Sequence, residues 1–190
     1  MEYSHDVEIW KPMVVAGKEC DYYKVSTHGN IISEMSGTKS KKRPKQIKID
    51  TNRGTVRARY GFYFPIDFFD GTLYDDWKYE RKGNKVRKDL YIHQVVMWTF
   101  KPIDLFPPKE LEDDWESTPL ASRLWIKKTV IINHIDHNPR NNHISNLEYV
   151  TPMENTRKAI EFYNGNLANK KINNNVIPQK FNTLEEFFYG

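Results

Sequence analysis

A chain of 190 residues with 38% hydrophobic and 14% aromatic residues has enough apolar mass for a packed core, which excludes a disordered polypeptide. The single cysteine, Cys20, excludes an internal disulfide and a zinc ribbon built on paired cysteines, and a lone thiol there reads as a packing residue rather than a nucleophile. The net charge of +4 is modest but segregated: residues 39–59 hold nine Lys or Arg against Asp50, residues 78–88 hold six against Glu80, and residues 104–116 hold six acids against Lys109. A positive field gathered in this way attracts a polyanion, and nucleic acid is the usual one.

In chain order, "DYYKVSTHGNIISEM" (21–35) reads as a hairpin turning at Gly29. "QIKI" (46–49) and "TVRARYGFYF" (55–64) read as strands. Alternation places Arg57 and Arg59 on one face, suited to tracking a phosphate backbone, with Val56, Ala58 and Tyr60 facing inward. Further hairpin turns are expected at Asp70-Gly71 and Gly83-Asn84. "YIHQVVMWTF" (91–100) fits both a strand and a buried helix by periodicity, with propensity leaning to strand. Residues 101–122 read as an acidic surface excursion with at most one short helix. No apolar run approaches about 20 residues, so no membrane span is expected. "MEYSHDVEIWKP" has neither the basic nor the apolar part of a secretion signal, so an intracellular protein is expected.

The chemistry gathers in "INHIDHNPRNNHISNLEYVTPMEN" (132–155), which holds six Asn and three His. "TVIIN" (129–133) reads as a strand, "HNPRNN" as a loop and "NLEYV" (146–150) as a second strand. "TPME" is a complete helix start, with Thr151 as N-cap, Pro152 at the first helical position and Glu154 closing a capping box. The helix runs through "PMENTRKAIEFY", with a stop expected at Asn164-Gly165. Strand, loop, strand and helix bring His134, at the end of the first strand, toward Asn155, in the first helical turn. Phosphodiester hydrolysis needs a base for water and a Lewis acid for the phosphate. An imidazole is such a base at neutral pH, and a hard divalent cation with oxygen ligands is such an acid.

"VIINHIDHNPRNNHISNLEYVTPMENTRKA" resembles the ββα-metal motif of HNH endonucleases, in the version found in phage and intron-encoded homing endonucleases. "YIHQVVMWTF" is similar to a segment that is helical in that family, and this tips 91–100 to helix. "EIWKPMVVAGKECDYYKVSTHGNIIS" is similar to a module that often precedes the nuclease domain. The resemblance covers 8–33 and 90–160, a little over half of the chain. It implies an α+β fold, with a β-rich basic DNA-binding module at 1–88 and an HNH nuclease domain at 89–165 that carries the 101–122 insertion. A polar tail at 166–190 ends in an apolar stub, Leu184, Phe187 and Phe188.

The resemblance also implies residue roles. His134 matches the general base, and Asn146 the Asn that fixes the loop and helps orient the His. Asn133 and Asn155 match the ligands of one Mg²⁺ or Mn²⁺. Asn142 matches a structural loop Asn, and His93 an upstream helix His of unassigned role. Lys41, Lys42, Arg43, Lys45, Arg57 and Arg59 are the candidate contacts to double-stranded DNA, with Arg140 and Arg157 flanking the site. Three features depart from the pattern: Asn133 stands where many relatives carry Asp, His137 stands where a Gly is common, and the acidic insertion has no counterpart. Asp136 is a possible extra carboxylate. A zinc site from His134, Asp136, His137 and His143 is disfavoured by its tight spacing. The expected protein is a metal-dependent nicking endonuclease acting as a monomer, with no protein partner. The alternatives are a DNA-binding protein that keeps the fold without the chemistry, and an interaction domain with no nucleic acid.

Overall fold

The computed structural model describes residues 7–34, 45–47, 58–72, 74 and 80–174. Lys41, Lys42, Arg43, Arg57 and the apolar end of the tail lie outside them. Four strands, β1 (Trp10–Val15), β2 (Lys18–Ser26), β3 (Ile31–Ser33) and β4 (Lys45–Ile47), form an antiparallel sheet in chain order. A second sheet has the order β5 (Arg59–Pro65), β7 (Lys85–Tyr91), β6 (Glu80–Lys82). The third pairs β8 (Ile131–His134) with β9 (Leu147–Val150). Among the described residues three α-helices complete the fold: α1 (Ile92–Phe100), α2 (Leu120–Thr129) and α3 (Pro152–Asn174). The fold class is α+β, as expected.

The expected hairpin at Gly29 joins β2 and β3, and that at Gly83 joins β6 and β7; the two glycines sit at φ +81° and +62°. Among the described residues Asp70-Gly71 is a turn that joins no pair of adjacent strands. The next strand, β6, pairs with β7, which takes the place beside β5. Ala58 is buried and Arg59 exposed, in keeping with the alternation expected of this strand.

Residues 92–100 are helical, and the reason is packing rather than propensity. Seven of the nine residues of α1 are buried, so the helix is apolar nearly all round and sits at the centre. Its first turn is capped by Gln94, whose Oε1 accepts from the Tyr91 N–H at 3.2 Å. Near its other end the Thr99 hydroxyl accepts from the Val14 N–H at 2.9 Å, which fastens α1 to β1. One apolar cluster takes Met13, Val15, Val25 and Ile31 from the first sheet, Phe62, Phe64, Val86 and Leu90 from the second, and Ile144 and Leu147 from the loop and strand beyond. Tyr23 joins the first two sheets: its ring meets Phe62 edge-on at 5.1 Å, and its hydroxyl accepts from the Tyr63 N–H at 3.0 Å.

The 101–122 segment departs from a simple surface excursion. It holds one 3-10 turn, Lys109–Leu111, and buries Trp115 to 2% exposure. At its end begins α2, a helix beyond those the sequence predicts. That helix has no buried residue, and Leu120 and Trp125 are largely exposed. Its sequence therefore carries no core-facing stripe by which to find it. The helix stop at Asn164-Gly165 is also corrected. α3 continues through Gly165, which stays out of the left-handed conformation that ends helices.

Candidate active site

The β8–β9 pair sets the frame. Ile131 is opposite Val150, Asn133 opposite Glu148 and His134 opposite Leu147. The two-residue period of a strand sends Asn133 and His134 to opposite faces. On one face, the Asn133 carboxamide donates from Nδ2 to Glu148 Oε1 at 2.9 Å, and the same oxygen takes Lys158 Nζ of α3 at 2.6 Å. Asn155 lies three residues before Lys158, hence on the same side of α3. α3 packs against β8. Asn155 is half-buried, and its carboxamide makes no hydrogen bond among the described residues. Thr151 is the N-cap as expected, its hydroxyl accepting from the Glu154 N–H at 3.2 Å, but Glu154 does not close the capping box: both its carboxylate oxygens accept from Arg157.

On the other face, His134 is 5% exposed. Its Nε2 lies 3.2 Å from Asn142 Oδ1, and its ring meets that of His93 edge-on at 5.1 Å. His93, in the first turn of α1, in turn stacks on Tyr91. Its place is therefore beside the candidate base, a position the sequence leaves without a role. Asn142, expected to serve only the loop, also meets His134. The sequence signal is only the Asn141-Asn142 pair, because a meeting of residues eight apart depends on the loop's path.

The loop itself is tied by Asn146. Its Nδ2 donates to Asp136 Oδ1 (2.9 Å) and to the Asn141 carbonyl (2.9 Å), and its Oδ1 accepts from the Asp136 N–H (3.0 Å). Asp136 also accepts from the Asn138 N–H (2.8 Å) and from Asn141 Nδ2 (2.7 Å). Its carboxylate is thus spent on the loop. Burial pushes the Asp136 carboxyl up, but these amides and the nearby His134 outweigh it and hold it below the ordinary carboxylate value. His137 completes the tight turn with φ 57°, where a Gly would be unstrained, and its ring stacks on Phe162 of α3 at 4.1 Å. Lys101 clamps the far side, donating to the carbonyls of Ile144 (3.1 Å) and Leu147 (3.2 Å).

The remaining candidates are scattered. Arg59 and Arg140 are exposed, and Lys45 begins β4. Arg157 is held by its own helix: it donates to both oxygens of Glu154 (2.8 and 2.6 Å) and to Glu161 (2.6 Å). Among the described residues, no group of three or more His, Cys, Asp or Glu forms a metal cluster. His143 is committed to Ser145, its Nδ1 accepting from the Ser145 N–H at 3.2 Å. Burial pushes the Cys20 thiol up to about 11, so it stays protonated at neutral pH and is no nucleophile. No helix among the described residues is long and apolar enough to cross a membrane.

Comparison with known proteins bears on this unit. Residues 125–157 match the profile of the HNH endonuclease family. Over 36 residues the chain is 56% identical to the SPbeta prophage-derived protein YosQ of Bacillus subtilis (strain 168), itself named as a candidate HNH homing endonuclease. That stretch is 19% of this chain and about a fifth (21%) of the Bacillus protein. A solved structure described as DNA binding and cleavage by the HNH homing endonuclease I-HmuI matches at 21% identity and a TM-score of 0.48. The match covers 86% of this chain and 64% of the other. The likeness to HNH endonucleases lies in the segment 125–157, with its two strands and helix start.

Proposed function

We propose that this protein is a metal-dependent DNA endonuclease that nicks duplex DNA, working as a monomer. The observation that carries the reading is the β8–β9–α3 unit. It carries Asn133 and the buried His134 at the end of one strand and Asn155 in the first turn of the helix that packs against that strand. A phosphate lying across that end would meet both the imidazole and the carboxamides. The residues fit a hard divalent cation. Glu148 fixes the Asn133 amide through its Nδ2, so its Oδ1 remains as a donor, and the Asn155 carboxamide is unspent. Neither donor carries charge, and the nearby Glu148 is neutralised by Lys158, so the ion is held weakly until a phosphate adds to the site.

In the proposed reaction His134 accepts a proton from water. The water oxygen bonds to phosphorus as the bond to the 3′ oxygen breaks, leaving a 5′-phosphate and a 3′-hydroxyl. Mg²⁺ or Mn²⁺, when bound by Asn133 and Asn155, supplies positive charge against the phosphate and the departing oxygen. Asn146 holds the loop that carries Asp136 to Asn141. Exposed Arg59 and Arg140, with Lys41, Lys42, Arg43, Lys45 and Arg57, are assigned to the DNA backbone. Arg157 joins them only by giving up its carboxylate partners. In this division of roles residues 1–88 grip the duplex and residues 89–165 cut it.

The test is supercoiled plasmid incubated with the full chain in Mg²⁺, in Mn²⁺ and in EDTA. Open circles that form with metal and not in EDTA fit the reading. Tight duplex binding with no nicking in either metal would replace it by a binding protein that has lost the chemistry.

A further inference from the structure

A helix packed on the core would fill the space under it, but α2 buries none of its own residues. Between α2, α1 and the β8–β9 pair lies a cavity of about 500 Å³. That volume falls within the roughly 300–1,000 Å³ of small-molecule sites. The ion pair of Lys127 with Asp104 at 2.6 Å, both of which line the cavity, ties α2 to the 101–122 segment. The walls are aromatic. Tyr91, Trp98 and Tyr149 line them, and the Tyr74 ring lies 6.0 Å from that of Trp98. His93 lines the cavity too, and its ring meets that of His134 at 5.1 Å. The cavity therefore reaches to within one side chain of the proposed base.

Two polar groups set what the cavity takes. Tyr149 is only 6% exposed, and its hydroxyl is buried with no hydrogen-bond partner. Such a group destabilises the fold until something pairs with it. Burial pushes its pKa up, so it is a neutral hydroxyl with a proton to donate. Lys128 is exposed at the rim and, unlike Lys127, makes no ion pair among the described residues. Aromatic faces stack a planar ring, the hydroxyl meets an acceptor on the ring's edge, and an unpaired ammonium takes a phosphate. A nucleotide carries all three.

We propose that this cavity takes one unpaired nucleobase of bound DNA, stacked among Tyr91, Trp98 and Tyr149, with its phosphate on Lys128. That the base comes from DNA rests on the nuclease reading; the nucleotide chemistry of the cavity does not.

The test uses the full chain in EDTA, so that nothing is cut. Titration with dAMP should shift the ring signals of Trp98 and Tyr149 saturably in nuclear magnetic resonance spectra, and deoxyribose 5-phosphate should not. A duplex with one bulged base, whose unpairing is already met, should bind on the order of tenfold more tightly than the same duplex fully paired, and should displace dAMP. Leu124→Trp, which fills the cavity from the exposed side of α2, should bring that ratio toward one. Tyr149→Phe should weaken dAMP about 3–10-fold, yet raise the unfolding midpoint of the free protein by removing an unpaired buried hydroxyl. Lys128→Ala should lower the affinity for dAMP toward that for deoxyadenosine. No saturable shift with dAMP, or an equal shift with the sugar phosphate, overturns the site, and the wild type alone decides this whether or not a variant folds. Binding of dAMP with no preference for the bulged duplex makes this a site for free nucleotide and overturns the assignment to DNA. A bulge preference in a protein that nicks nothing upholds the cavity's role and refutes the nuclease reading.

Discussion

Asn133 is hydrogen-bonded to Glu148, and the consequences of changing it can be worked out atom by atom. Asn133→Asp removes the 2.9 Å hydrogen bond and sets two carboxylates side by side with only Lys158 to share. Without metal this variant should lose about 1 kcal/mol of stability. A charged oxygen ligand binds a divalent cation more tightly than an amide. Addition of Mg²⁺ should therefore raise the melting temperature of Asn133→Asp more than that of the wild type. An equal or smaller rise would take Asn133 out of the metal site. Asp136 gives a second prediction, with its sign fixed by linkage. Its carboxyl is held below the ordinary value, so its contribution is fully present above the unfolded pKa near 3.9 and is lost as pH falls through the lower folded value. The urea midpoint of the wild type should fall with acidification more steeply than that of Asp136→Asn. Parallel curves would mean that the loop does not depend on the charge.

The elements that matter most are β8, β9 and α3, and the start of α3 is set by one hydroxyl. Thr151→Ala leaves the Glu154 N–H without its acceptor and should cost about 1 kcal/mol, read as a lower midpoint in chemical denaturation. An unchanged midpoint would show that packing alone sets this end. That start is legible because capping is local: Thr and Pro at fixed offsets specify it without tertiary help. The turns at Gly29 and Gly83 are legible for the same reason. α1 is not, since its periodicity suits a strand as well, and only the resemblance to a family segment points to helix. Nor is α2, because a helix with nothing buried leaves no stripe. The order β5-β7-β6 depends on which strand reaches β5 first, and local residue preferences do not encode that. Within the site, the positions of His134 and Asn133 can be read from the motif. The meeting of His134 with Asn142 cannot, because it depends on the path of the loop between them.

Across the whole molecule, the strongest basic run, 39–59, contains β4 and ends at Arg59, the exposed first residue of β5. If this run follows the DNA backbone, duplex affinity should fall steeply with salt. Replacing Lys41, Lys42 and Arg43 by Ala should then flatten the log–log slope by roughly 0.9 for each phosphate that is no longer neutralised. A slope unchanged by the triple variant would move the DNA to another face. A single apolar cluster runs from the N-terminal sheets through α1 to the site loop, so these parts share one core. The most direct measurement is a time course of supercoiled plasmid with wild type and His134→Ala, at matched duplex binding and in Mg²⁺. The account predicts open circles from the wild type and a rate lower by about 10²–10⁴-fold in the variant. A variant that nicks as fast as the wild type would contradict it.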